Sequence, residues 1–388
     1  MKRLPIDDKY LTAILLELLR TPSPSGRTDA VMQIIGERIE ALGVSIEMTR
    51  RGVLRVTVGG DRHDASRAVV VHADTIGAMV KRVKDNGRIE VVPIGTHSAR
   101  FAEGAHVTVF PDDLSMFLTG TVLPLMSSGH NFGEAVDTQG VGWHQVEIRL
   151  DEHVASRDDV SALGINVGDF IALDAAPQIT PNGFVKSRHL DDKAGIAACL
   201  AAIKSLVDHA ASIPVTAYLV VTIGEEVGMG LTHGLDDTVA ELVAVDNAVV
   251  SEGQESREDT VNIAMLDSTG PFDYHLTRRL IGLCAEHDIP HRRDVYRYYR
   301  SDAAPAIESG MECRAALLGF GVESSHGHER THLDGLRRLA ELLTVYLQSP
   351  LTFEEWDETP TGALEDFPSH TVQPAEPEPE HYADGRHA

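Results

Sequence analysis

The chain has 388 residues, 43% of them hydrophobic and 24% charged, and carries a formal net charge of −25. That length allows two domains and a well-buried core, and so acidic a chain disfavours nucleic acid and anionic membranes as partners. The three cysteines, Cys199, Cys284 and Cys313, have neither disulfide nor metal-ligand spacing, which suits a reducing, cytoplasmic setting.

The N-terminal stretch MKRLPIDDKYLTAILLELLR reads as an amphipathic first helix and not as an export signal, because acids precede its apolar positions and those positions recur with helical spacing. No stretch is long and apolar enough to cross a bilayer as a helix. TPSPSG stops the first helix with two prolines and a glycine. A second helix follows over about 27–42, ended by Gly43, then the strand-like runs GVLRVTV and RAVVVHAD. Helices alternating with apolar strands predict an α/β sheet covered on both faces.

After Gly77 the texture changes. GRIEVVPIG, AHVTVFP, LTGTVLPL, HQVEIRL and VGDFIALD are short β-type runs separated by Gly, Pro and Asp, which predicts a small β domain over 77–183 inserted into the α/β domain. The α/β texture returns with the Ala-rich helix of SRHLDDKAGIAACLAAIKSLVDHA. Next come the strand YLVVTI, an apparent strand ELVAVD ending at Asp246, a helix over about 274–287, the strand RAALLGFG and a last helix over about 333–348. Residues 1–76 and 184–350 then form one discontinuous catalytic domain. The acidic, proline-rich tail 351–388 lacks the apolar surface to offset chain entropy and is expected to be disordered.

Five stretches put acids or histidines near the ends of core strands: VVVHADTIG (His72, Asp74), RHLDDKAG (Asp191, Asp192), TIGEEVGMG (Glu225, Glu226), VAVDNA (Asp246) and SSHGHERTH (His326, His328, His332). Open α/β sheets bind ligands beyond the carboxyl ends of their strands. Singly, each stretch has an ordinary explanation: a helix cap for the Asp pair, an exposed strand end for the Glu pair, a turn residue for Asp246, a hydrogen-bonded core position for His72. Together they are ligand types for a pair of divalent transition ions, with no cysteine needed. Such a hydrolytic site also needs a carboxylate that is not a ligand, to take a proton from water. On a strand end Glu225 and Glu226 cannot aim at the same point, so one can coordinate while the other holds the water. Asp74, two residues past His72, can accept a hydrogen bond from its imidazole.

HAD, DDKAG, GEEVG, AVD and a C-terminal SH…E, in that order, resemble metallopeptidase family 42, the dinuclear metal aminopeptidases that include the tetrahedral and glutamyl aminopeptidases. Related zinc exopeptidases share the ligand pattern but keep the first His and the Asp close in sequence. Here the wide gap between His72 and Asp191 is filled by the β stretch, as in family 42. The resemblance implies an α/β/α catalytic domain of zinc-exopeptidase type with an inserted, barrel-like β domain used for homo-oligomerisation. It implies two divalent ions per subunit: zinc, with cobalt and manganese as alternatives. His72 and Asp246 would bind one ion, Glu226 and His326 the other, and Asp191 both, with a cis Asp191–Asp192 bond. Glu225 would be the general base, and Asp74, the partner of His72, is counted with it as catalytic.

SSHGHERTH departs from the family pattern after its first His, so His328 competes with His326 for the ligand position. The exit from strand ALLGFG favours His326. The family's GTDAG stretch corresponds to YRSDAAP here, which makes Asp302 a candidate pocket residue, and STGPFDYHLT, with His275, is a second candidate wall. The variant motifs resemble the branch found beside genes for the osmolyte N-acetylglutaminylglutamine amide. The implied activity is removal of N-terminal residues from short peptides. The alternatives are an amidohydrolase acting on an N-acylated dipeptide amide, through the same metal site, and a non-catalytic oligomeric scaffold, against which retention of Glu225 argues.

Overall fold

The computed structural model describes residues 1–354 and 356–368. A mixed sheet of twelve strands forms the larger unit. At its centre four strands run parallel in the order Val215–Thr222, Arg62–His72, Val239–Val250 and Arg314–Glu323. Their sequences are near-continuous runs of Ala, Val and Leu, as expected of parallel strands buried on both faces. Alternation assigns the faces. Val69, Val71, Val243 and Val245 pack with the helices Asp8–Leu19, Leu190–Asp208 and Leu333–Gln348. Ala68, Val70, Val220 and Ala244 pack against Leu231, Tyr296 and the short helix Ala303–Glu308. No helix among the described residues is long and apolar enough to cross a membrane.

Register decides where the chemistry gathers. His72 is paired with Thr222 at the carboxyl ends of neighbouring strands. Val70 is paired with Ala244, so Asp246, two residues on, stands level with His72. The expected strand end at Asp246 is corrected: the strand runs on to Val250 because Arg314–Glu323 pairs with it throughout, Asp246 opposite Gly319. Glu225 and Glu226 are corrected as well. The strand stops at Thr222, and the two acids sit in a single helical turn, Glu225–Val227.

Six further strands close into a barrel in the order Gly77–Val83, Ile89–Ile94, Val146–Leu150, Leu118–Pro124, His106–Phe110 and Phe170–Leu173. Their alternate residues, among them Val80, Ile89, Val107, Ile148 and Ile171, make a separate apolar core. The strand Gln178–Ile179 already belongs to the large sheet, through Phe184–Ser187.

The tail differs from its expected disorder in its first part. Leu351 is buried, Thr352 donates to Glu241 from its backbone N–H (2.6 Å) and hydroxyl (2.7 Å), and Asp357 meets Arg314 at 3.1 Å. Asp357, which composition alone would leave solvated, is here matched to a cation, and Leu351 packs with Ala65 and Val215, while Leu364 and Phe367 stay exposed. Residue 355 and residues 369–388 lie outside the described residues, and with them the rest of that expectation.

Candidate metal centre

Five stretches far apart in sequence converge at the carboxyl edge of the parallel strands. His72 is buried at the end of its strand. Its Nδ1 bonds the Asp74 carbonyl at 3.0 Å, which turns Nε2 toward Asp191 Oδ1, also at 3.0 Å. His326 repeats the device: Nδ1 bonds the Thr96 carbonyl at 2.8 Å, and Nε2 faces Asp191 Oδ2 at 3.4 Å and Glu226 Oε2 at 3.3 Å. A backbone carbonyl on Nδ1 fixes the tautomer that leaves Nε2 free to ligate. Asp191 therefore stands between two imidazoles, one to each carboxylate oxygen.

Two sets of donor atoms lie close enough to hold a cation each, every atom within 4.8 Å of the others: His72, Asp191 and Glu226, and His72, Glu225 and Asp246. Asp191, Glu226 and Asp246 are buried, and the Glu225 side chain is 15% exposed, facing a cavity of about 680 Å³. Electrostatics reflect the crowding. Burial, and then the Asp191 charge, push Glu226 up to about 8. Glu225, Asp192 and Asp246 are raised well above the usual carboxylate range, burial being the first cause in each. Burial alone would lower the two histidines, but the bonds to Asp191 and the surrounding carboxylates outweigh it, raising His72 strongly and His326 to about 11. Carboxylates crowded in this way are suited to added positive charge between them, and the oxygen and nitrogen donors of the set fit divalent transition ions.

The peptide bond Asp191–Asp192 is cis. Two glycines of the motifs have steric reasons. A Cβ on Gly195 would lie 2.1 Å from Asp192 Oδ1, and one on Gly230 would lie 2.0 Å from Asp302 Oδ1.

Asp74 acts differently from the expectation. His72 bonds its carbonyl, while its carboxylate, 3.6 Å from Nδ1, accepts the backbone N–H groups of Glu225 (3.1 Å) and Glu226 (3.3 Å) and the Ser25 hydroxyl (2.5 Å). The strand ends at His72, so Asp74 is free to turn and hold the Glu225–Glu226 turn in place. Asp302 is corrected from pocket wall to brace: its oxygens accept Thr222 Oγ1 (2.8 Å) and Leu231 N–H (2.6 Å), and Tyr298, Tyr299 and Arg300 of the same loop line the cavity instead. His275 is far from the site. It packs on Tyr274 and on Phe353, beside Arg314 at the opposite, amino end of the strands. His328 points into a different cavity, shared with Arg188 and His106.

Sequence reasoning assigned no role to Glu329 or Asn247. Glu329 is buried and accepts the N–H groups of Leu190 (2.6 Å), Asp191 (3.3 Å) and His326 (2.9 Å). Asn247 donates to Asp191 Oδ2 at 2.5 Å. The signals were their places beside Asp246 and in SSHGHER.

The family model described as M42 glutamyl aminopeptidase matches residues 52–342, well over half of the chain. A Bacillus subtilis (strain 168) protein named "Putative aminopeptidase YhfE" is 37% identical over 338 residues, which is 87% of this chain and 97% of that protein. Among solved structures, aminopeptidase APDkam598 from the archaeon Desulfurococcus kamchatkensis superposes with a TM-score of 0.80 at 20% identity, over 92% of this chain and 99% of that one. The TET1 peptidase of Pyrococcus horikoshii, described as able to assemble into a tetrahedron or a large octahedral shell, gives a TM-score of 0.76 at 20% identity, over 87% and 99%. Both share the fold of this chain.

Proposed function

The chain belongs to the M42 glutamyl aminopeptidase family and is a metal-dependent aminopeptidase, and from that premise we propose that it removes the N-terminal residue of short peptides at a centre for two divalent ions. The observation that carries this reading is the position of Asp191, with one carboxylate oxygen toward His72 and the other toward His326 and Asn247. A carboxylate so placed suits a bridge. His72 and Asp246 would then serve one ion, and Glu226 and His326 the other. Zinc, cobalt and manganese all suit these donors. When bound, such ions polarise the scissile carbonyl and acidify a water molecule.

The chain's own residues do the rest. Of the four carboxylates that line the cavity Glu225 is the most exposed to it, so it takes the proton of the attacking water and hands it to the leaving amine. Asp74 holds that glutamate through its backbone N–H. Tyr298, Tyr299 and Val227 offer an apolar wall to the substrate side chain. Exposed apolar residues on the inserted unit of residues 77–183, among them Leu114, Phe117 and Val167, support homo-oligomerisation through it. The scattered cysteines, without disulfide spacing, support a cytoplasmic setting.

The test is a panel of aminoacyl and N-acetylated dipeptides, assayed with zinc, cobalt and manganese, with bound metal quantified. Release of the N-terminal residue from free-amine peptides at two ions per chain is expected. Hydrolysis confined to N-acetylated substrates would sink the aminopeptidase assignment.

A further inference from the structure

We infer that the cleft between the barrel and the α/β unit is a second binding site, for a small oxyanion. The cleft is a cavity of about 500 Å³ separate from that of the metal centre: no residue lines both. Its walls come from the barrel strands His106–Phe110 and Phe170–Leu173 and from the segments around Arg20, Arg188 and His328.

The charge of this cavity runs against that of the molecule. Arg20, Arg188 and Lys193 line it, with His106 and His328 beside them, and the single acid in its wall is Asp174. In a chain of net charge −25 this is not part of a generally basic surface. Nor are the cations paired. Lys193 is 1% exposed, and its ammonium donates to the Thr21 carbonyl at 2.6 Å. Half-buried Arg188 donates from Nη1 to the Phe101 carbonyl at 2.7 Å. Among the described residues neither has a carboxylate within ion-pair distance, and Arg20 has none either. A neutral carbonyl satisfies one donor but not the charge. Arg20 is exposed, so this cost falls on Lys193 and in part on Arg188: a buried charge without a counter-ion is costly, and its removal from water is tolerated where an opposite charge meets it. Guanidinium forks and an ammonium around one space are the groups that recognise tetrahedral oxyanions and carboxylates.

The site is coupled to the metal centre by the chain itself. Thr75 in its wall follows Asp74, Arg188 and Lys193 flank the Asp191–Asp192 pair, and His328 lies two residues past His326. An anion held there would lock the three segments that present the ligands.

The experiment is sulfate binding to the metal-loaded enzyme, by calorimetry and by thermal shift at constant ionic strength against chloride. Saturable binding of one sulfate per chain, with a matching rise in melting temperature, is expected. Arg20→Gln and Arg188→Gln should each weaken it about tenfold, the usual effect of one lost charge-assisted hydrogen bond, while bound metal stays at the wild-type level. Among the described residues the Arg20 side chain makes no hydrogen bond or ion pair, so its variant reports on the site even if Arg188→Gln disturbs the fold. A short peptide acid that competes with sulfate where its amide does not would identify the occupant as a ligand carboxylate. Failure of both to compete would identify a free inorganic anion. Unsaturable binding, unchanged affinity in both arginine variants, or loss of sulfate in Glu226→Gln with retention in Arg20→Gln would overturn the proposal, the last by placing the anion on the metals.

Discussion

Glu329 Oε1 accepts the backbone N–H of His326 at 2.9 Å, and this bond holds His326 in a left-handed conformation, φ 62°. Such a conformation is uncommon for a residue other than glycine. Here it swings the imidazole over Asp191. The other oxygen of Glu329 accepts the N–H groups of Leu190 and Asp191, so one buried carboxylate sets the spacing of Asp191 and His326.

Glu329→Gln keeps the shape but leaves a single acceptor oxygen for three N–H donors. We expect metal affinity to fall about 10- to 100-fold, the usual cost of losing a group that orients a ligand, with the fold retained. Competition against a fluorescent chelator measures this. Unchanged affinity would show that His326 and Asp191 hold their positions without it.

His326 and His328 are separated by one glycine but face different cavities. His326→Ala should reduce metal affinity by at least about a hundredfold, more than an orienting residue would. His328→Ala should leave metal content intact. Elemental analysis after gel filtration separates the two, and the reverse pattern would reassign the ligand.

His97, next to the Thr96 whose carbonyl bonds His326, supplies a pH test at a residue that is not itself a ligand. Its ring packs edge-on against Trp143, and burial, followed by the charge of His326, pushes it down to about 4. The folded state thus refuses a proton that the unfolded chain accepts near pH 6.5. Above about 6.5 the group has no effect. As pH falls toward 4 the unfolded chain is favoured, by at most about 3 kcal/mol. His97→Leu should therefore lose less stability than the wild type between pH 7 and pH 5 in urea unfolding. Equal losses in both proteins would refute the assignment.

Much of this architecture could be read from residue order. The apolar run before His72 and the two-residue alternation of IEVVPI and HVTVF are periodic signals of burial on two faces and on one. What escaped reading depends on partners that no period records. Asp302 looks like any loop acid in YRSDAAP, yet it is buried between Thr222 and Leu231. Glu329 and Asn247 act by bonding backbone and ligand oxygens from distant segments, so only the assembled site reveals them. The strand through Asp246 continued because its neighbour did, a tertiary fact absent from VAVDNA itself.

The doubled acid of GEEVG allows the sharpest test. Glu225 and Glu226 share one turn and one brace, Asp74, yet they face different partners: Glu226 meets His326 at 3.3 Å, while the nearest imidazole to Glu225 is His72 at 4.0 Å. Glu225→Gln preserves size but cannot take a proton at neutral pH. Turnover should fall by about two to four orders of magnitude, the usual contribution of a general base, and metal content should stay at the wild-type level. Glu226→Gln removes an anionic donor beside His326, so metal affinity should fall first and activity with it. Supplying excess metal should then restore part of the activity of Glu226→Gln and none of that of Glu225→Gln. If Glu225→Gln loses metal while Glu226→Gln keeps it, the two roles are exchanged. If neither substitution alters hydrolysis, the pair does not serve the reaction at all.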